Sequence, residues 1–288
     1  MRLRAVTHTA LLAAFGRART IALGAYTLAP EGSVARALES AAERGARVAV
    51  TLDGAPAGDR SGGVARANRA AAATLRAHGV SVRLAGPSES RLHLKAALVD
   101  GACFLDDRNW PGDARDTILE TSARGVRAAV AGALAGHPSA GRDFATEKSR
   151  ALALEAATVR GARGDRIDVE TETFGASALS RALRVRARHG ARVRLIVSAE
   201  AFAHATSAER TAVRRLADAG VRVRLGGAGE KLCVAGDRGW AGSANADVAP
   251  GPMLDWGART RDRALLGAFA RSFARDWREA SPLPRAVG

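Results

Sequence analysis

The stretch "RLHLKAALVDGACFLDDRNW" (residues 91–110) places His93 two before Lys95 and Asp100 five after it. A second stretch, "EKLCVAGDRGWAGSAN" (230–245), carries Lys231 and then Gly242, Ser243 and Asn245, with the same interval from Lys231 to Asn245 as from Lys95 to Asn109. Displacement at a phosphodiester needs a nucleophile, an acid for the leaving oxygen and cations for the equatorial oxygens. A neutral imidazole attacks phosphorus well and exchanges protons near neutral pH. Lysines supply compact charge, and the Ser hydroxyl and Asn amides add neutral donors. Against this stands the reading of His93 as a structural residue at a strand edge, of the lysines as solvated side chains and of the asparagines as turn residues.

Charge composition sharpens the choice. Of the 44 Lys and Arg in 288 residues, only Lys95, Lys148 and Lys231 are lysine. Where nearly every cation is Arg, a retained Lys points to chemistry that guanidinium does not replace. Two of the three occupy matching positions; Lys148 lies outside the motifs and reads as a helix-surface residue.

The elements that must position these residues form a repeat. "RTIALGAYTL" (19–28) and "RGARVAVTLDG" (44–54) read as strands joined by a helical stretch, and "DRIDVETETF" (165–174) and "HGARVRLIVSA" (189–199) repeat that order. "LRAHGVSVRL" (75–84) is echoed by "LADAGVRVRL" (216–225), each a helix, a glycine stop and a strand. The Gly/Pro/Ser-rich "AGHPSAGRD" (135–143) suggests a boundary, giving repeats over 1–138 and 139–288. Helices are expected at 8–18 and 144–162. The apolar start, broken by His8 and Thr9, reads as the first of these and not as a signal peptide.

The duplicated α/β plan, with HxKxxxxD in one half and KxxxxxxxxxxGSxN in the other, resembles the phospholipase D superfamily over nearly the whole chain. The resemblance implies two repeats, each a mixed sheet flanked by helices, related by a pseudo-two-fold, with one composite cleft that brings Lys95 and Lys231 onto one phosphate. It implies a metal-independent phosphodiesterase or phosphatidyl transferase working through a phosphohistidine on His93, with no cofactor. The set it assigns is His93, Lys95, Lys231, Asn109, Asn245 and Ser243. Asp100 reads as a fixer of the strand-to-turn geometry. Asp116 and Asp255 are the residues placed to orient an imidazole, Asp116 preferred because the half holding Asp255 lacks the His.

The departures matter. Asp106 and Asp107 replace Gly-Ser in the first half, Gly229 stands at the second His position, and Gly236 at the second Asp position. A positioned acid is missing, and His204, after a second-half strand, is a candidate surrogate. The alternative is a degenerate member that binds phosphate-rich ligands without turnover.

A net charge of +15 favours polyanionic partners: a phospholipid or nucleic-acid substrate, or an anionic membrane surface. One Tyr leaves little for stacking bases. Cys103 and Cys233 in apolar strands read as buried thiols, consistent with a cytoplasmic setting. His78 and His189, each before a Gly at a helix end, read as caps. Trp110 and Trp240, beside the motifs, read as site walls or core.

Overall fold

The computed structural model describes residues 1–284 apart from 57, 60, 88, 90, 111–116, 228 and 248–251. The chain divides into two compact units: residues 1–148 with 251–256, and 149–250 with 257–288.

In the first unit seven strands form one sheet, in the order Arg4–Val6, Ile118–Thr121, Ala102–Asp106, Ala96–Val99, Thr20–Ala25, Arg47–Asp53, Ser81–Ala85. The last three are parallel and the remaining pairs antiparallel. Thr20–Ala25 is almost continuously apolar, whereas Arg47–Asp53 and Ser81–Ala85 alternate, with Val48, Val50 and Leu52 buried. Helix Ser33–Glu43 turns Val34, Ala35, Leu38 and Ala41 to that core, the spacing of one helical face. Helices His8–Arg17 and Gly63–Ala77 complete the layers around Leu11, Phe15, Leu23, Val50 and Leu75, all buried.

The second unit repeats the order of the last six of these strands. Gly257–Thr260, Arg238–Gly242, Leu232–Ala235, Arg166–Thr171, Arg192–Val197 and Arg222–Leu225 follow the same sequence of antiparallel and parallel pairs. Ser281–Pro282 adds an outer strand. The register makes the two sheets superposable in sequence: Ala22 faces Leu98, and Asp168 faces Val234. Its core gathers Val169, Leu183, Leu195, Leu216, Cys233 and Trp240.

The expected strands and helices are present, the second helix spanning Lys148–Arg160. Strand Arg4–Val6 was not anticipated; three residues, two of them exposed, carry no period to read. His78 and His189 cap helices Gly63–Ala77 and Ala178–Arg188, and His189 Nδ1 donates to the Val185 carbonyl at 2.7 Å. Both cysteines are free and buried, and burial pushes the Cys103 thiol up to about 12. Among the described residues, no helix is long and apolar enough to cross a membrane.

Candidate functional site

His93 follows a two-residue strand, Arg91–Leu92, which pairs in parallel with Met253–Leu254. The His93 N–H donates to the Leu254 carbonyl at 2.9 Å, so the next residues along the two segments, His93 and Asp255, are placed side by side. His93 Nδ1 lies 2.7 Å from Asp255 Oδ1, and Lys95 Nζ lies 2.8 Å from His93 Nε2. An ammonium only donates and a carboxylate only accepts. These partners therefore put the proton on Nδ1 and leave a lone pair on Nε2, the tautomer a nucleophile requires. The Tyr26 ring meets the imidazole edge-on, centroids 5.0 Å apart, and Lys95 Nζ lies 5.6 Å from the same ring centre.

Asp255 and Lys95 are almost wholly buried, while the His93 side chain keeps 13% exposure. Burial pushes the Asp255 carboxyl up, but His93, Lys95 and Lys148 together hold it below the usual carboxylate range. Lys148 is thus corrected from its expected place on a helix surface. It is buried, 7% exposed, and its charge acts on Asp255.

The second orienting candidate is also resolved by the register of the two short strands: Asp255 meets His93, despite belonging by sequence to the half without a histidine. Asp116, the preferred candidate, lies outside the described residues.

Asp100 sits at the far end of strand Ala96–Val99 from Lys95, in a left-handed turn with φ of 47°. Its carboxylate accepts from the Thr20 N–H and hydroxyl, both at 2.8 Å, and from the Arg19 N–H. It ties a turn to the start of the neighbouring strand. Asp106 accepts from the N–H groups of Arg108 and Trp110, and Asp107 from that of Thr117. The two aspartates that replace Gly-Ser thereby order the loop that bears Asn109. Trp256 Nε1 donates to the Asp106 carbonyl at 2.8 Å. Asn109 is half-buried, and its Oδ1 has no hydrogen-bond partner among the described residues.

In the second unit Lys231 is placed as Lys95 is: the Gly242 N–H bonds the Lys231 carbonyl as the Asp106 N–H bonds that of Lys95. Its Nζ meets different partners, the Gly229 carbonyl at 3.2 Å and a Glu172 carboxylate oxygen at 3.1 Å. By strand register Glu172 stands where Tyr26 stands in the first unit. Ser243 is buried and Asn245 half-buried just beyond strand Arg238–Gly242; Asn245 Oδ1, like that of Asn109, has no partner among the described residues. Gly236 repeats the left-handed turn of Asp100 with φ of 54°. A Cβ there would lie 1.6 Å from the Arg163 carbonyl oxygen, which explains the lost Asp; Asp237 instead accepts from the Arg163 N–H. His204 is exposed at the end of the short helix Ala199–Ala203. Trp110 and Trp240 are buried.

Three further buried carboxylates, Glu170, Glu230 and Asp276, have oxygens within 4.8 Å of one another. Arg275 reaches Asp276 at 2.9 Å and Glu230 at 3.4 Å, and Ser272 donates to Glu230, so this cluster is met by protein donors.

Sequence reading missed Tyr26, Glu172 and the part played by Lys148. Aligning the repeats puts Tyr26 opposite Glu172, and the scarcity of lysine marks Lys148.

The family model described as cardiolipin synthase, phospholipase D-like domain, matches residues 11–129. No curated protein matches the chain in sequence. Among solved structures, phosphatidylserine synthase from Haemophilus influenzae is similar at a TM-score of 0.63 and 10% identity, covering 98% of this chain and 87% of that one. Polyphosphate kinase from Porphyromonas gingivalis is similar at 0.62 and 18% identity, over 94% of this chain and 49% of the kinase, so the chain spans about half that protein's length. Nuc from Salmonella typhimurium, a phospholipase D family member, aligns at 0.43 and 16% identity over 52% of this chain and 100% of its own. Residues 11–129 thus match a phospholipase D-like domain, and the second unit repeats the same order of strands with Gly229 where the first has His93.

Proposed function

We propose that the protein is a metal-independent phosphodiesterase or phosphatidyl transferase that works through a covalent phosphohistidine on His93. The observation that carries this reading is the held imidazole: Asp255 on Nδ1 and Lys95 on Nε2. In the first step the Nε2 lone pair forms a bond to phosphorus, and the bond to the leaving oxygen breaks with its electron pair. Lys95, released from Nε2, turns its charge to a non-bridging oxygen, and Asp255 stabilises the imidazolium that forms. In the second step water, or the hydroxyl of an acceptor alcohol, attacks phosphorus, the P–N bond breaks and its pair returns to Nε2. The proton of the attacking group passes to solvent.

The leaving oxygen also takes its proton from solvent in this proposal, because the sequence carries Gly229 at the second His position. Losing a positioned acid removes about two to four orders of magnitude for an alkoxide, and far less for an acidic phenol. The names of the two proteins of like fold put phosphatidyl and phosphoryl groups first among substrates to screen.

A second reading, a phosphate-binding protein without turnover, draws on Gly229 and on the Lys231–Glu172 pair, which meets the second lysine's charge with a carboxylate. One experiment separates them. The native chain and His93→Ala are incubated briefly with an activated aryl phosphodiester under chelation, and the products are analysed by intact-mass spectrometry and peptide mapping. An acid-labile adduct on His93, absent from the variant, is the expected result. No adduct, with residual turnover equal in both proteins, overturns the enzyme reading in favour of the binding one.

A further inference from the structure

Helices Ala178–Arg188 and Ser207–Asp218 of the second unit, on the face of their sheet, enclose a groove of about 530 Å³ between them. Arg181, Arg184 and Arg215 line it, with Ser177, Ser207 and Thr211. Elsewhere in this unit arginines meet carboxylates: Arg194 and Arg166 share Asp168, Arg192 meets Asp165, and Arg275 meets Asp276. The three groove arginines have no carboxylate partner among the described residues. Helix Ala178–Arg188 carries four arginines and no acidic residue. On the facing helix Glu209 is turned to the cap, accepting from the N–H and hydroxyl of Thr206 at 2.7 and 2.8 Å.

Three like charges around one concavity repel one another unless an anion enters. Guanidinium groups and hydroxyls are the donors that fit the oxygens of a phosphate. The lining holds no aromatic side chain, so nothing there stacks on a base. The volume exceeds that of one phosphate and suits several in succession. A concavity between two helices fits a thin chain and not the plane of a bilayer.

We propose that this groove is a binding site for consecutive phosphate groups of a linear polyanion, separate from the His93 centre. The shared chemistry is the phosphate chain, whether from an oligophosphate or from a nucleic-acid backbone.

The test is calorimetric titration of the full-length chain at low and at physiological salt with sodium tripolyphosphate, with a short abasic oligodeoxynucleotide and with vesicles containing anionic lipid. Arg181→Gln/Arg184→Gln/Arg215→Gln is compared with Arg17→Gln/Arg47→Gln/Arg69→Gln, which removes equal charge at exposed arginines of the first unit. The groove variant is expected to lose at least tenfold in tripolyphosphate affinity, and the control less than twofold. Vesicle binding should fall equally in both. Arg181→Gln and Arg215→Gln singly, both at exposed positions, should each lose about threefold, which keeps the test decisive if the triple variant folds poorly. Preference for the abasic strand over tripolyphosphate assigns the nucleic-acid source; the reverse assigns oligophosphate. Equal losses in groove and control variants, or a groove-specific loss for vesicles alone, overturn the proposal. Binding is read without turnover, so failure here leaves the His93 mechanism standing, and failure there leaves the groove.

Discussion

Lys231 Nζ lies 3.1 Å from the carboxylate of Glu172, whereas its counterpart Lys95 lies 2.8 Å from an imidazole nitrogen. The same backbone position therefore serves two electrostatic ends. In the first unit the lysine charge is held against a neutral ring. In the second it is held against an anion that competes with phosphate.

Glu172→Gln is predicted to raise affinity for inorganic phosphate by about three- to tenfold, a modest gain because the Glu172 side chain is 44% exposed and its pairing is screened. Calorimetric titration at low ionic strength measures it. Lys231→Ala in the Glu172→Gln background should abolish the gain; a gain that survives would assign the effect to net charge alone.

Asp255→Asn is predicted to lower the His93-dependent rate by about two to four orders of magnitude while the fold is kept, because the amide no longer stabilises imidazolium. Single-turnover kinetics on an aryl diester, with circular dichroism as the fold control, measure it. A rate within threefold of the native protein would make Asp255 a packing residue.

The pH dependence of stability follows from the same carboxylate. Its folded-state pKa is depressed, so its stabilising contribution is fully present above the unfolded value of about 3.9 and is lost as pH falls through the folded value. The stability difference between the native chain and Asp255→Asn should therefore not fade between pH 7 and about pH 5 and should shrink only below about pH 4. Urea unfolding across that range is the measurement, and a difference that fades between pH 7 and 5 would contradict the assignment.

Gly236→Ala should destabilise the protein by about 2–4 kcal/mol. The left-handed backbone alone costs a β-carbon about 1–2 kcal/mol, and the added carbon would meet the Arg163 carbonyl oxygen at 1.6 Å. Denaturant unfolding should show the midpoint falling with an unchanged slope.

What was legible in the sequence, and what was not, divides by range of interaction. Apolar periodicity and the echo of one half in the other were enough for the two mixed sheets, since helices and parallel strands write their burial into local pattern. The lysines and the Lys-to-Asn interval likewise stood out from composition and spacing alone. The pairing of Arg91–Leu92 with Met253–Leu254 did not, because two-residue strands carry no period, and so the weaker of two candidate aspartates turned out to be the one on His93. Lys148 was misplaced for a related reason. A first helical residue can face either way, and only the packing around it settles which. Glu172 was readable in principle, by asking what the second half offers in place of Tyr26.

The separation of 162 positions along the chain between His93 and Asp255 sets a schedule for the making of this protein. A ribosome adding about 5–20 residues per second needs roughly 10–30 s after the histidine to deliver its aspartate. Throughout that interval the nascent first repeat carries an imidazole with no carboxylate to choose its tautomer. Its reactive nitrogen is therefore left undefined until the strand Met253–Leu254 and the aspartate after it have been threaded back. A gene split at the repeat boundary would leave the two residues on separate polypeptides. If His93 acts as proposed, it would then become competent only on reassociation of the pieces, and its activity would report the joining of the chain.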